Sequence, residues 1–432
     1  MQTLRTKGTY LAYADGTPFF YLADTAWELA HKANREEVET YFATRAAQGF
    51  TAVQIVVLAE FDGLTVPNAH GRVPFLTREG EPDPLLPDTE GPYSYWDHLD
   101  FIVETAQAHG ICVVLLPTWG DKYNLKWGRG PVVFHTPEVA CKYATWLARR
   151  YKDTPGIIWM LGGDRPLEKP RHREIVAAFA RGIRWAGDTH LITFHPAGHT
   201  HSGMWLADAP YIDFHTSQTG HTAERCYDSD RVMAEMRALG KPYLDSEPRY
   251  EDHPACFDET CGYFWDADDV RVNLYRNLLA GAAGHTYGNH CIWSMTTEGE
   301  VRPYFPYTWK EALTHPGACQ VGHAKTLRLT YDYFSLVPAP EAVLTAYEGA
   351  GRVTAAVGKG YLFAYSPLGL PFTLSYDFSG ATGVRAAWFD TRTGETEIFS
   401  VIPPGGKHTF APSSCGKGQD ALLILTPFQK AK

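Results

Sequence analysis

Apolar residues recur along the first three quarters of the chain in eight near-continuous runs, each followed by a stretch of helical period. The runs are FFYLAD (19–24), TAVQIVVLAE (51–60), ICVVLLPTWG (111–120), GIIWMLGGD (156–164), LITFHP (191–196), YIDFHTSQ (211–218), PYLDSE (242–247) and HTYGNHCIW (285–293). Strands that are apolar at nearly every position, rather than at alternate ones, are buried on both faces, as in a parallel sheet wrapped by helices. The helices between them carry readable ends. Asn34 with Glu37 makes a capping-box pattern ahead of Val38, Tyr41, Phe42, Arg45 and Ala46, and Gly49 stands where the chain should leave the helix. Ser94 precedes Leu99, Ile102, Val103 and Ala106, with Gly110 closing that stretch; Thr136-Pro137 puts proline at a first helical position; Val232, Met233, Met236 and Leu239 run into Gly240 and Pro242. Eight strand–helix pairs within ~310 residues predict a (β/α)8 barrel. A doubly wound open sheet would need a glycine-rich phosphate loop after its first strand, where this chain has Ala-Asp-Thr-Ala-Trp.

Beyond Val337-Pro-Ala-Pro340 the pattern changes to short alternating runs separated by Gly, Pro and Asp-Thr-Arg-Thr-Gly turns, the pattern of an antiparallel β-sandwich. The chain therefore divides into a barrel over 1–335 and a β-sandwich over 336–432. Composition follows the same line: 17 of the 18 His and 11 of the 12 Trp precede residue 336. So does the acidity, because residues 1–335 hold 31 Lys and Arg against 42 Asp and Glu, while the remainder holds 8 against 7. A net charge of −10 disfavours a phosphate-backbone partner, so no nucleic acid is expected. The 58 aromatic residues (12 Trp, 24 Tyr, 22 Phe) exceed what a core needs and suit the C–H faces of sugars. No apolar run approaches the ~18 residues of a membrane span, and no basic segment leads into an apolar one at the N-terminus. A cytoplasmic protein with its eight cysteines reduced is the expectation, although Cys256 and Cys261 are close enough in sequence to raise a bridge.

In such a barrel the chemistry sits at the C-terminal ends of the strands. That rule reduces 49 carboxylates to Asp24, Glu60, Asp121, Asp164 and Glu247. Asp164 and Glu247 end strands 4 and 7, which face each other across the mouth, and two opposed carboxylates are what glycoside hydrolysis requires: one protonates the leaving oxygen and the other attacks the anomeric carbon. By position Asp164 is the acid/base and Glu247 the nucleophile, with Gly162 and Gly163 leaving room for a sugar ring. A lone Asp after a strand is more often a cap or loop residue, which weighs on Asp24 and Asp121. Asp245 shares the pleat parity of Glu247 one layer deeper and reads as structural. The expected substrate-binding set is Asp24, Trp27, Gln54, Trp119, Lys122, His195, His215, Gln218, His285, Tyr287 and Trp293. Tyr123 and Trp159 are further wall candidates, and Lys122 could meet a uronate carboxylate.

His199-x-His201, with His195, His215 and His221 nearby, raises a metal reading, but the first strand lacks the H-x-H of metal-dependent barrel hydrolases, so neither metal nor cofactor is expected. No Gly-x-Ser-x-Gly elbow is present. The insertion at 61–94, rich in Pro, Gly and Asp, lies on the active-site face and is expected to narrow the pocket to the end of a glycan.

The segments FFYLADTAWELAHKANREEVETYFATRAAQGFTAVQ, YWDHLDFIVETAQAHGICVVLLPTWGDKYN, KYATWLARRYKDTPGIIWMLGGDRP and PYLDSEPRYED resemble the apiosidase-like glycoside hydrolases, family 140, whose barrel precedes a C-terminal β-domain described as collagen-binding. The resemblance spans nearly the whole chain. It implies that the family's catalytic Asp and Glu fall on Asp164 and Glu247, and that terminal D-apiose is released from a β-linkage, as in rhamnogalacturonan II side chains. Most retaining barrel glycosidases carry Asn-Glu after strand 4; Gly163-Asp164 here makes the acid/base one methylene shorter. Two alternatives stand beside this: another furanoside or deoxysugar as substrate, and a non-catalytic carbohydrate-binding protein. The single Trp of the sandwich disfavours the second.

Overall fold

A computed structural model describes residues 1–222 and 228–429, so Cys226 lies outside the described residues. Each of the eight apolar runs contains a strand or leads out of one: β1 (Tyr21–Thr25), β2 (Ala52–Val56), β3 (Cys112–Leu116), β4 (Ile157–Gly162), β5 (Leu191–His195), β6 (His215–Gln218), β7 (Tyr243–Asp245) and β8 (Gly284–Tyr287). Every residue of these strands is buried, so β2, β3 and β4 read as largely apolar runs, while β6 (His-Thr-Ser-Gln) and β8 (Gly-His-Thr-Tyr) bury polar side chains. Six of them form one parallel sheet in the order β8-β1-β2-β3-β4-β5, while β6 and β7 pair in a second sheet. The seams between the two are stitched by irregular bonds. At the first, the Asp213 amide donates to the Ile192 carbonyl (2.8 Å), the Ile192 amide to the Asp213 carboxylate (2.7 Å), and the Thr193 hydroxyl to the Phe214 carbonyl (2.7 Å). At the second, the Ala283 amide donates to Tyr243 (2.8 Å). The result is a closed barrel with irregular seams on either side of β6–β7.

The outer helices are α1 (Arg35–Ala47), α2 (Tyr95–Ala108), α3 (Pro137–Tyr151), α4 (Pro170–Trp185), α5 (Ser229–Arg237), α6 (Ala267–Leu279) and α7 (Pro316–Thr330). Asn34 and Glu37 form the capping box of α1, Ser94 and Asp97 that of α2, and Thr136 caps α3 ahead of Pro137. The connection after β5 departs from the regular alternation: it contains a two-residue strand, Thr200–His201, paired antiparallel with β6, and the helical turn Gly203–Leu206. Among the described residues no helix is long and apolar enough to cross a membrane.

The C-terminal part is an antiparallel six-stranded sheet faced by a two-stranded one, Phe372–Asp377 with Gly405–Phe410. Phe372, Leu374 and Phe410 pack into Ala364, Leu423 and Leu425 between the sheets. The opposite face of the larger sheet continues the barrel's own core, where Phe363, Tyr365, Phe389 and Ile424 join Val270, Leu274 and Tyr275 of α6. Tyr275 stacks on Tyr365 with ring centroids 5.1 Å apart, and Arg271 Nη2 lies 2.6 Å from Asp420, both side chains 1% exposed. The β-domain is thus bolted to the barrel through α6 by both apolar contact and a buried ion pair.

Asp24, expected to touch substrate, is instead a structural anchor. Its carboxylate is fully buried beside Arg45 of α1, accepting from Arg45 Nε (2.6 Å) and the Tyr41 hydroxyl (2.5 Å). The guanidinium also lies over the rings of Phe50 and Tyr287, at 5.1 and 5.4 Å. No bridge joins Cys256 to Cys261, whose sulfur lies 3.3 Å from the Tyr263 carbonyl. Replacing Asp24 with Ala would leave Arg45 charged and unpaired in the core, so Asp24→Ala is expected to lower stability by about 3–5 kcal/mol in urea unfolding. A ground-state substrate contact would instead raise KM and leave stability near that of the wild type.

Candidate active site

At the end of β4 the chain runs Gly162, Gly163, Asp164 with φ of +99, +108 and +53°. The glycines are required by contact as well as conformation, since a Cβ on Gly162 would lie 2.4 Å from the His195 carbonyl oxygen and one on Gly163 2.7 Å from the Gly120 nitrogen. This left-handed turn carries Asp164 over the barrel mouth. A non-glycine residue held at positive φ costs energy that the surrounding packing must supply, and such residues concentrate at functional sites.

Opposite, Glu247 follows β7 on a segment pinned from below. The Ser246 amide donates to Ser217 (2.9 Å), Gln54 Nε2 donates to the Ser246 carbonyl (3.0 Å), and the Gly220 amide donates to the carbonyl of Glu247 itself (3.0 Å). Two imidazoles flank the carboxylate: His195 Nε2 is 2.9 Å from Oε2 and His221 Nε2 is 2.9 Å from Oε1. The other nitrogen of His195, Nδ1, accepts from the Asp164 amide at 3.3 Å, which places the His195 proton on Nε2, toward Glu247. One ring therefore links the two strand ends.

The two carboxyls sit in opposite electrostatic settings. Burial, and next the negative charge of Glu247, push Asp164 up to about 7 against the pull of His195 and Arg165. Burial would also raise Glu247, but the two imidazoles 2.9 Å from its oxygens outweigh it and hold the group down to about 2. Near neutral pH one carboxyl keeps its proton and the other is an anion, the division of labour an acid and a nucleophile need.

Both face a cavity of about 140 Å³ walled by Trp27, Trp119, Trp293 and Tyr250. Trp27 and Trp119 meet at 5.2 Å, His195 stands edge-on to Trp27 at 5.3 Å, and the Trp27 indole donates to the Tyr250 hydroxyl (3.1 Å). A second cavity of about 320 Å³ shares Glu28, Glu60 and Trp293 with the first and takes Phe61, Asp62 and Val66 from the 61–94 insertion.

Of the expected binding set, Trp27, Trp119 and Trp293 line the catalytic cavity, His195 backs it, and Gln54 supports it from the barrel interior. The others are engaged elsewhere. Lys122 is buried against Asp121 (2.8 Å), so it is no surface cation awaiting a uronate. His215 pairs with the Ser202 hydroxyl (2.8 Å), and burial lowers it to about 4. His285 is fully buried and brought down to about 3 by that burial. Tyr287 donates to Glu251 (2.6 Å), Gln218 pairs with Thr200 across strands, and Trp159 donates to Asp188 (2.9 Å) within the core. Tyr123 also packs into that core. His199 meets the Thr222 hydroxyl (3.0 Å) while His201 turns toward Glu235 (3.7 Å), and among the described residues no cluster of three His, Cys, Asp or Glu side chains could hold a metal. Glu28, Tyr250, His253, Phe257, His290 and Tyr304, none of them singled out from the sequence, also line the cavity, as does His221. Glu28, four residues past Asp24, and His290, three residues past the end of β8, were within reach of the strand-end rule; Tyr250, His253, Phe257 and Tyr304 lie in longer connections.

The family model for the apiosidase-like catalytic domain matches residues 5–335. The chain belongs to the apiosidase-like family. A second model, described as "Putative collagen-binding domain of a collagenase", matches residues 337–426. A solved structure titled a glycoside hydrolase is 30% identical, with a TM-score of 0.89 over 100% of this chain and 98% of its own. Another, titled a glycoside hydrolase family 5 structure from Bacteroides vulgatus ATCC 8482, is also 30% identical, with a TM-score of 0.88 over 98% of this chain and 93% of its own. No curated protein sequence matches. This apiosidase-like protein is a glycoside hydrolase, and carbohydrate is its substrate class.

The opposed settings of Asp164 and Glu247 fix the direction of its pH dependence. For Asp164 acting as the acid and Glu247 as the nucleophile, kcat/KM is expected to fall as pH rises through about 7 and to hold well into acid. His195→Ala removes one of the two imidazoles holding Glu247 down, so the acid limb should move up; a profile whose acid limb stays in place would contradict the role given to His195.

Proposed function

We propose that this glycoside hydrolase is an exo-acting, retaining enzyme that removes terminal D-apiose from β-linked apiosides or pectic oligosaccharides, with residues 1–335 as its catalytic unit and 336–432 as a rigid β appendage. Asp164 protonates the glycosidic oxygen while a Glu247 oxygen bonds to the anomeric carbon and the leaving alcohol departs. A water then gives its proton to the Asp164 carboxylate, its oxygen bonds to the anomeric carbon, and Glu247 is released as the anion. Microscopic reversibility makes the same Asp acid first and base second.

The observation that carries this reading is the single imidazole of His195, which reaches the backbone of Asp164 with one nitrogen and the carboxylate of Glu247 with the other. It joins the two strand ends through one ring; retention, which calls for carboxyls ~5 Å apart rather than the ~6.5–9.5 Å of an inverting pair, is tested by the configuration of the first-formed product. The narrow cavity and the insertion that continues its wall support attack at a chain end, and family membership supports apiose.

The test is hydrolysis of aryl β-D-apiofuranoside against a panel of other aryl furanosides and pyranosides. Apiose should be released fastest. Glu247→Ala should lose activity by several orders of magnitude, with azide restoring turnover to a glycosyl azide of inverted configuration. Preference for another sugar would overturn the apiose assignment, and azide rescue at Asp164 with Glu247→Ala fully active would overturn the roles.

A further inference from the structure

An acid must keep its proton until the substrate arrives, yet a buried guanidinium lies against Asp164. Arg165, 2% exposed, directs Nη1 to the Asp164 carbonyl (3.0 Å) and carboxylate (3.3 Å), and Nη2 to Glu60 Oε1 (3.0 Å). A cation at this range favours the ionised carboxyl and would by itself draw the proton off. The second prong meets an opposing charge.

We propose that Glu60 and Arg165 are a positioning pair for the acid/base: Glu60 takes up the guanidinium's charge while Asp164 is protonated, and the guanidinium turns its attraction to Asp164 once the proton has passed to the leaving oxygen. The inference rests on Asp164 being the acid/base. The bidentate shape of Arg suits it to this task, since its planar fork can hold two carboxyls in fixed geometry where a Lys could not.

The surroundings are built for the clamp. A Cβ on Gly120 would lie 2.6 Å from Arg165 Cγ, so the β3 loop leaves that space for the arginine stem. Trp127 covers the guanidinium at 5.2 Å. Glu60 ends the run that contains β2 and lines both cavities. Burial pushes the Glu60 carboxyl up and Arg165 draws it back.

The other charged groups nearby have their own engagements. Glu247 and His195 face Asp164 from β7 and β5, and are engaged with each other. Asp121, which faces Glu60 and Arg165 from the β3 loop, lies 2.8 Å from Lys122 and accepts from the Gly130 amide (2.9 Å). Glu28 faces Glu60 and lies 3.4 Å from His31. Among the described residues, Asp164 and Glu60 are the two carboxylates in ion-pair contact with Arg165.

The deciding experiment is titration of Asp164 in the full chain by difference infrared spectroscopy of the carboxyl stretch, with Asp164→Asn to assign the band, in the wild type and in Glu60→Gln. Glu60→Gln removes an anion and frees the guanidinium to lean on Asp164. The Asp164 titration, and with it the basic limb of kcat/KM, should move down by about one pH unit. Glu60→Asp should restore most of the shift. A loss of stability alone would lower rates at every pH without moving the titration. The pair is overturned if Asp164 titrates at the same pH in wild type and Glu60→Gln. Failure of the wild type to cleave any aryl glycoside would overturn the activity reading separately, because the infrared titration needs no turnover.

Discussion

One carboxylate held as an anion by two imidazoles inside a buried pocket is the interaction on which the rest of this site depends. Glu247 is 7% exposed and would lean toward its neutral form if burial acted alone. His195 and His221 reverse that, and the negative charge they preserve becomes, with burial, a reason why Asp164 keeps its proton. The two protonation states are consequences of one arrangement, and the pair titrates as a unit rather than as two independent acids.

The barrel supplies the arrangement by geometry. Asp164 leaves β4 through a glycine pair whose lack of side chains permits contact with β3 and β5, Glu247 leaves β7 on backbone pinned by Ser217 and Gln54, and His195 ends β5 between them. Three strand ends converge because the sheet closes. The seam at β5–β6, where the Asp213 carboxylate and threonine hydroxyls take over part of the bonding from backbone amides, lies beside the β6–β7 edge that presents His221 and Glu247.

Parallel barrel strands are buried on both faces, so their positions were legible as largely apolar runs, and the strand-end rule then reached Asp164, Glu247 and three of the wall tryptophans. The same rule misplaced Asp24, and the sign that it was structural was also in the sequence: Arg45 sits in the apolar stripe of α1, where a charge must find a buried partner. His215 and His285 lie within strands rather than beyond them, and therefore fill the barrel interior. Tyr250, His253 and Phe257 could not be read at all. They belong to a long excursion after β7 whose path is set by pairings such as the Trp265 amide with His253 and the Asp252 amide with Trp265, contacts that leave no periodic trace. In the β-domain, Gly405–Phe410 leaves little trace in the sequence because its Gly-Gly-Lys-His-Thr stretch is mostly exposed and carries little apolar alternation.

The central claim, that Glu247 is the ionised nucleophile, meets its most direct test in trapping. A 2-fluoro glycoside with an activated leaving group slows the second step more than the first, so a glycosyl-enzyme should accumulate and be found by peptide mass spectrometry. The account predicts one sugar adduct per chain on the peptide containing Glu247, absent in Glu247→Gln. An adduct on another carboxylate, Glu60 or Asp164 above all, or turnover of the same compound with no adduct at any stage, would contradict it.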